Sequence, residues 1–112
     1  MPNYNSRLND VFHALADPTR RAVVERLCLG PASVSELAAP FEMALPSFSQ
    51  HLDMLEKCGL VRSRKAGRVR TCRLAPRPLA AAESWMERQR AQWERRLDPL
   101  DSYLTDLKKQ KR

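Results

Sequence analysis

Two short amphipathic segments joined by a tight turn, then two β-rich segments around a glycine, predict a mainly α-helical fold with a small β-hairpin. The arrangement is a winged helix-turn-helix, with about five helices plus a two-stranded wing. The third observation is charge. From Arg62 to Arg77 the chain reads "RSRKAGRVRTCRLAPR", with seven cationic side chains and no acid. With 112 residues, 43% hydrophobic and 29% charged, the chain suits one domain with a packed core.

Each element has its own signal. Leu8, Val11, Phe12 and Leu15 recur at helical spacing and form one face of a first helix. Asp17 suits an N-cap and Pro18 a first helical position, so a second helix is expected from Pro18 to about Leu29. Its stripe is Val23, Val24, Leu27 and Cys28, and Gly30 and Pro31 stop it. Ser33 and Glu36 have capping-box spacing at the head of a short third helix, about Val34 to Ala39, before Pro40. A fourth helix is expected over about Ala44 to Cys58, with Pro46 in its first turn and Phe48, Leu52 and Leu55 on its buried stripe. Gly59 closes it. "LVRSR" and "RVRTCRL" then read as strands around "KAG", with Val61 and Val69 expected to point inward. "APRP" breaks the chain. A long last helix follows from Leu79, on whose face Leu79, Ala82, Met86, Gln89, Trp93, Leu97, Leu100, Leu104 and Leu107 step by three and four. Pro99, after Asp98, is expected to kink that helix or to start a new one.

The formal net charge of +7 and a pI of about 9.9 favour a polyanionic partner, nucleic acid first and an anionic membrane second. The cations cluster on a hairpin and not on one amphipathic helix, which argues against a membrane role. No signal peptide is visible, and no apolar run is long enough to span a bilayer. Cys28, Cys58 and Cys72 are odd in number and widely spaced, so neither a disulfide framework nor a zinc knuckle is expected. All three read as structural in a reduced, cytoplasmic protein. Cys72 stands among cations that would lower its pKa if it were exposed.

In a helix-turn-helix the second helix enters the major groove. Ser47, Ser49, Gln50 and His51 surround Phe48 at the start of the fourth helix. Ser47 and Gln50 lie away from the apolar stripe, and glutamine can bond adenine through two atoms. Behind them, Arg64, Lys65, Arg68 and Arg70 straddle the hairpin turn. Strand alternation divides them between two faces, and at least two are expected on phosphates. Arg20 and Arg21 oppose the dipole at the start of the second helix, so one of them is expected in a structural ion pair.

"ALADPTRRAVVERL", "SVSELA", "SFSQHLDMLEKCGLV" and "RKAGRVRTCRL" together resemble the ArsR/SmtB family of bacterial transcriptional repressors over roughly Leu8 to Leu74. Ser49 and His51 fall where that family commonly has serine and histidine. The resemblance implies a homodimer built from the first and last helices, binding double-stranded DNA at an inverted-repeat operator. The dimer would use Leu8 and Phe12 with Trp85, Met86, Gln89, Trp93, Leu97 and Leu100. Many relatives sense metals through a Cys-x-Cys on the third helix. Here the segment is Ser33-Val34-Ser35-Glu36-Leu37, and hydroxyls are poor ligands for soft metals. Another family site uses Asp and His pairs on the last helix, which here has no histidine; His13 and His51 fall in the first and fourth helices. No metal and no cofactor are therefore expected. An organic effector of unknown identity, a redox signal and control by protein level all stay open.

The expected organisation is one domain over 1–112: a DNA-binding core at 8–77, a dimerisation helix at 78–107 and a basic tail at 108–112. A rival reading is a winged-helix adaptor that binds protein without DNA-sequence specificity, for which an acidic or apolar wing would be the signal. An enzyme is not expected. There is no glycine-rich phosphate loop, ligand cluster or nucleophile with a base at recognisable spacing, and Asp53 with Glu56 reads as a solvated acidic face.

Overall fold

The computed structural model describes residues 4–110, with side chains described for 7–97 and 103–108. The elements run α1 (Tyr4–Leu15), α2 (Pro18–Leu27), β1 (Ala32–Ser33), α3 (Val34–Ala38), α4 (Leu45–Lys57), β2 (Val61–Ala66), β3 (Val69–Leu74) and α5 (Pro76–Gln110). This is the expected winged helix-turn-helix, mainly α. The residues group into two compact units, Met1–Ala82 and Glu83–Arg112.

The caps follow the sequence closely. The Asp17 carboxylate accepts the Arg20 backbone N–H at 3.0 Å and starts α2. Ser33 and Glu36 form the full capping box of α3. At the end of α4, Gly59 donates to the Glu56 carbonyl and Leu60 to the Leu55 carbonyl, both at 3.0 Å. Those two bonds make a Schellman motif, and Gly59 fits it because φ there is +84°.

The core of the first unit gathers around α4. Phe48, Leu52 and Leu55 are fully buried, with Leu60, Val61, Cys72 and Val23. Phe41 stacks at a tilt on Phe48, with ring centroids 5.6 Å apart. Leu8 belongs to this core at 7% exposure, which leaves it little surface to offer a second subunit. Phe12 is half-buried against the same core.

Four expectations of detail are corrected. The hairpin is part of a three-stranded antiparallel sheet of order β1-β3-β2, with Ala32 opposite Cys72 and Ser33 opposite Thr71. A two-residue strand is too short to show alternation, so it left no signal. Val69 is 53% exposed and not inward. The register pairs Val61 with Leu74 and Ala66 with Val69, which puts the two valines on opposite faces. The helix after the hairpin starts at Pro76, not Leu79. Pro76 and Pro78 sit in its first turn, where a missing N–H has no intrahelical partner to lose. Finally, of the two alternatives at Pro99 the fresh helix is overturned, since α5 runs as one helix from Pro76 to Gln110.

Candidate nucleic-acid interface

The interface is built on α4 and the β2–β3 hairpin. Burial of Phe48, Leu52 and Leu55 fixes the rotation of α4 about its axis, and the remaining face is polar. Ser47 and Gln50 are exposed, while Ser49 and His51 are half-buried. Ala44 caps α4 without a side-chain hydrogen bond, and the first turn has no acid. The helix therefore presents unsatisfied N–H groups and the positive end of its dipole.

His51 is held as well as displayed. An Arg20 guanidinium nitrogen lies 3.0 Å from His51 Nδ1. A guanidinium can only donate, so Nδ1 must accept and the ring proton sits on Nε2. Nε2–H remains a donor for an acceptor outside the chain. The same Arg20 donates to the carbonyls of Ala14 at 2.8 Å and His13 at 3.3 Å, and Arg21 donates to Leu15 at 2.9 Å. In place of the expected carboxylate pair, both arginines cap the C-terminal end of α1, where cations are favoured. Arg20 thus ties α1 and α2 to α4. The Asp17 carboxyl is held below the usual carboxylate range, chiefly by the Arg20 N–H, with burial opposing the shift and the Arg20 charge adding to it.

The hairpin divides its cations by face. Val61, Ser63 and Lys65 pair with Leu74, Cys72 and Arg70 on the inner side, and Arg62 and Arg64 with Arg73 and Thr71 on the outer. Arg70 turns toward α4 and bonds Glu56 at 2.5 Å and the Ser63 hydroxyl at 3.0 Å. Ser63 also donates to Glu56. The Glu56 carboxylate raises the Arg70 pKa further and commits this arginine to the fold. Arg64, Lys65 and Arg68 are exposed and make no ion pair among the described residues. Gly67 turns the chain between them at φ +63°.

Sequence reasoning missed the Glu56 latch. The sequence suggests a solvated face at Glu56, whereas an acid in the last turn of α4 followed by a cationic strand is the signal for this bond. The cysteines also resolve. Cys72 is fully buried, and burial raises its pKa despite nearby Arg70. Cys58 is buried with its pKa raised for the same reason, and Cys28 is exposed. On α3 the Ser33 hydroxyl, at one of the positions where the resemblance places a thiolate, is already engaged by the Glu36 N–H.

The description "Bacterial regulatory protein, arsR family" matches residues 17–63. The HTH-type transcriptional regulator Rv2034 of Mycobacterium tuberculosis (strain ATCC 25618 / H37Rv) is 47% identical over 77 residues, which are 69% of this chain and 72% of that one. The chain belongs to the ArsR family. The transcriptional repressor SdpR of Bacillus subtilis (strain 168) is 30% identical over 70% of this chain and 88% of its own. The crystal structure of an ArsR family transcriptional regulator, RHA00566, superposes with a TM-score of 0.79 at 55% identity, covering 84% of this chain and 97% of that one. ArsR-family proteins are DNA-binding transcriptional regulators and not enzymes, and they often form homodimers. No helix among the described residues is long and apolar enough to cross a membrane.

Proposed function

We propose that this ArsR-family chain is a homodimeric, sequence-specific repressor of an inverted-repeat operator that does not respond to metals through the usual family sites. The observation that carries the reading is the pairing of two surfaces. The exposed polar face of α4 adjoins a hairpin whose tip bears Arg64, Lys65 and Arg68 without compensating acids. Ser47 and Gln50 read base edges, and Ser49 and His51 Nε2–H anchor the first turns to the backbone. Arg64, Lys65 and Arg68 release counterions from phosphate. Arg70, engaged by Glu56, holds the wing in place and contributes less to phosphate binding than its charge suggests. Two α4 helices about 34–36 Å apart enter successive major grooves on one face of the duplex. The basic wing disfavours the adaptor reading.

Duplexes selected from a random library supply the operator, and fluorescence anisotropy against salt tests the roles. Gln50→Ala is expected to weaken binding at particular base pairs by about 1–3 kcal/mol. Arg68→Ala is expected to weaken binding on all duplexes and to lower the salt slope by about one. Wild-type behaviour of both variants would overturn the groove assignment.

A further inference from the structure

A second group of cations surrounds a cleft at the opposite end of α4 from Ser47. The cleft holds about 700 Å³ and is formed wholly by residues 7–81 of the first unit. Arg7, Lys57, Arg62, Arg73 and Arg77 line it, with no acidic residue. All five are exposed, and none makes an ion pair or side-chain hydrogen bond among the described residues. Below them the walls are apolar, from Leu8 and Val11 on α1, Leu74 on β3, and Pro78 and Ala81 on α5.

These charges are not explained by the DNA-facing surface. Lys57 lies ten residues along α4 from Ser47, about 15 Å. Arg62 and Arg73 sit four residues from the hairpin tip pair Ala66–Val69, about 13 Å. Arg62 and Arg73 are also direct cross-strand partners. Like charges placed opposite one another destabilise a sheet. The other like-charged pair, Lys65 opposite Arg70, is relieved by Glu56. The Arg62–Arg73 pair has no such relief within the described residues. A concave apolar cleft of this size with a few convergent polar groups is the usual form of a small-molecule site, and guanidinium pairs suit a carboxylate or phosphate head.

We infer that this cleft binds an amphipathic organic anion, its head between Arg62 and Arg73 and its apolar body against the half-buried Leu74, Pro78 and Ala81. The cleft touches the C-terminal end of α4 and the base of the wing, so it adjoins both DNA-facing elements without including their contact residues.

Isothermal titration of the full chain with decanoate, decanol and acetate tests the inference without DNA. Its failure is thus separate from failure of the repressor reading. Decanoate is expected to bind with one site per chain, and decanol and acetate each at least tenfold more weakly. Arg62→Ala/Arg73→Ala should lose at least tenfold in decanoate affinity, and Ala81→Phe should lose binding by filling the cleft. Far-ultraviolet circular dichroism checks that both variants fold. Should Ala81→Phe not fold, the charge variant and the ligand series decide alone. Equal binding of decanol and decanoate, unchanged affinity in the charge variant, or no decanoate binding at millimolar concentration overturns the inference. The last result is also what a second copy seated over the cleft would give.

Discussion

Arg20 shows how much one side chain can settle. Its guanidinium reaches the end of α1 and the His51 ring, so three helices meet at one planar group. Arg20→Ala removes charge-assisted bonds and takes its side-chain donor from the partly buried Ala14 carbonyl, and it is expected to cost about 2 kcal/mol in urea unfolding. Arg20→Lys should recover little, because an ammonium cannot match the fork. Asp17, at the same junction, carries the pH dependence. Its folded pKa lies below the unfolded value of about 3.9, so its contribution is present above that pH and lost as pH falls through the folded pKa. Asp17→Ala is expected to cost about 1 kcal/mol at pH 7, with the gap to wild type closing toward pH 2. A gap that stays constant from pH 7 to pH 2 would remove the carboxylate from the account. The Asp17 cap was legible because a capping acid followed by proline is a local signal. The Arg20 fork was only half legible: the cation's position looked wrong for α2, but its acceptors lie on another helix.

The elements themselves were read from local chemistry, and the misses share one cause. Periodicity placed α1, α2, α4 and α5, and the capping box with the following Pro40 placed the short α3. The inner strand face was misread at Val69 because register, not residue type, decides which side faces α4. Strand β1 has only two residues, and its pairing with β3 is tertiary. The Glu56–Arg70 bond is likewise made between elements, and it fixes the hairpin to the last turn of α4. Its partners are partly exposed, so it is worth only about 1 kcal/mol. Glu56→Ala should therefore lower global stability slightly while speeding amide exchange in β2 and β3 far more than in α4. Equal acceleration in all three would mean that the bond does not act as a latch. Gly67→Ala meets open space, so its cost is backbone strain alone, about 1–2 kcal/mol.

At the scale of the molecule the second unit has no buried side chain among its described residues. It is one helical stretch, yet Met86, Trp93 and Leu104 are each about half exposed or more, with Leu97 half-buried on the same stripe. Their spacings of seven, four and seven residues keep them on one face of a helix. Gln89 is exposed beside them, and Leu100, also expected on this seam, lies outside the residues whose side chains are described. Trp85 makes contacts of its own within the chain, so Trp93 is the cleaner probe. An exposed row of large apolar side chains on a small protein marks an interaction surface. In the homodimer proposed above a second copy would cover it, because a two-fold interface uses the same patch twice. Trp93→Glu places a charge on each side of that axis, and sedimentation is expected to shift from dimer to monomer. Operator affinity should fall in parallel, since two half-sites would no longer be bound as one event. Binding to an isolated half-site should stay at the wild-type monomer level, because Trp93 lies outside α4 and the hairpin. A dimer that persists with Trp93→Glu would move the subunit contact off this face of α5.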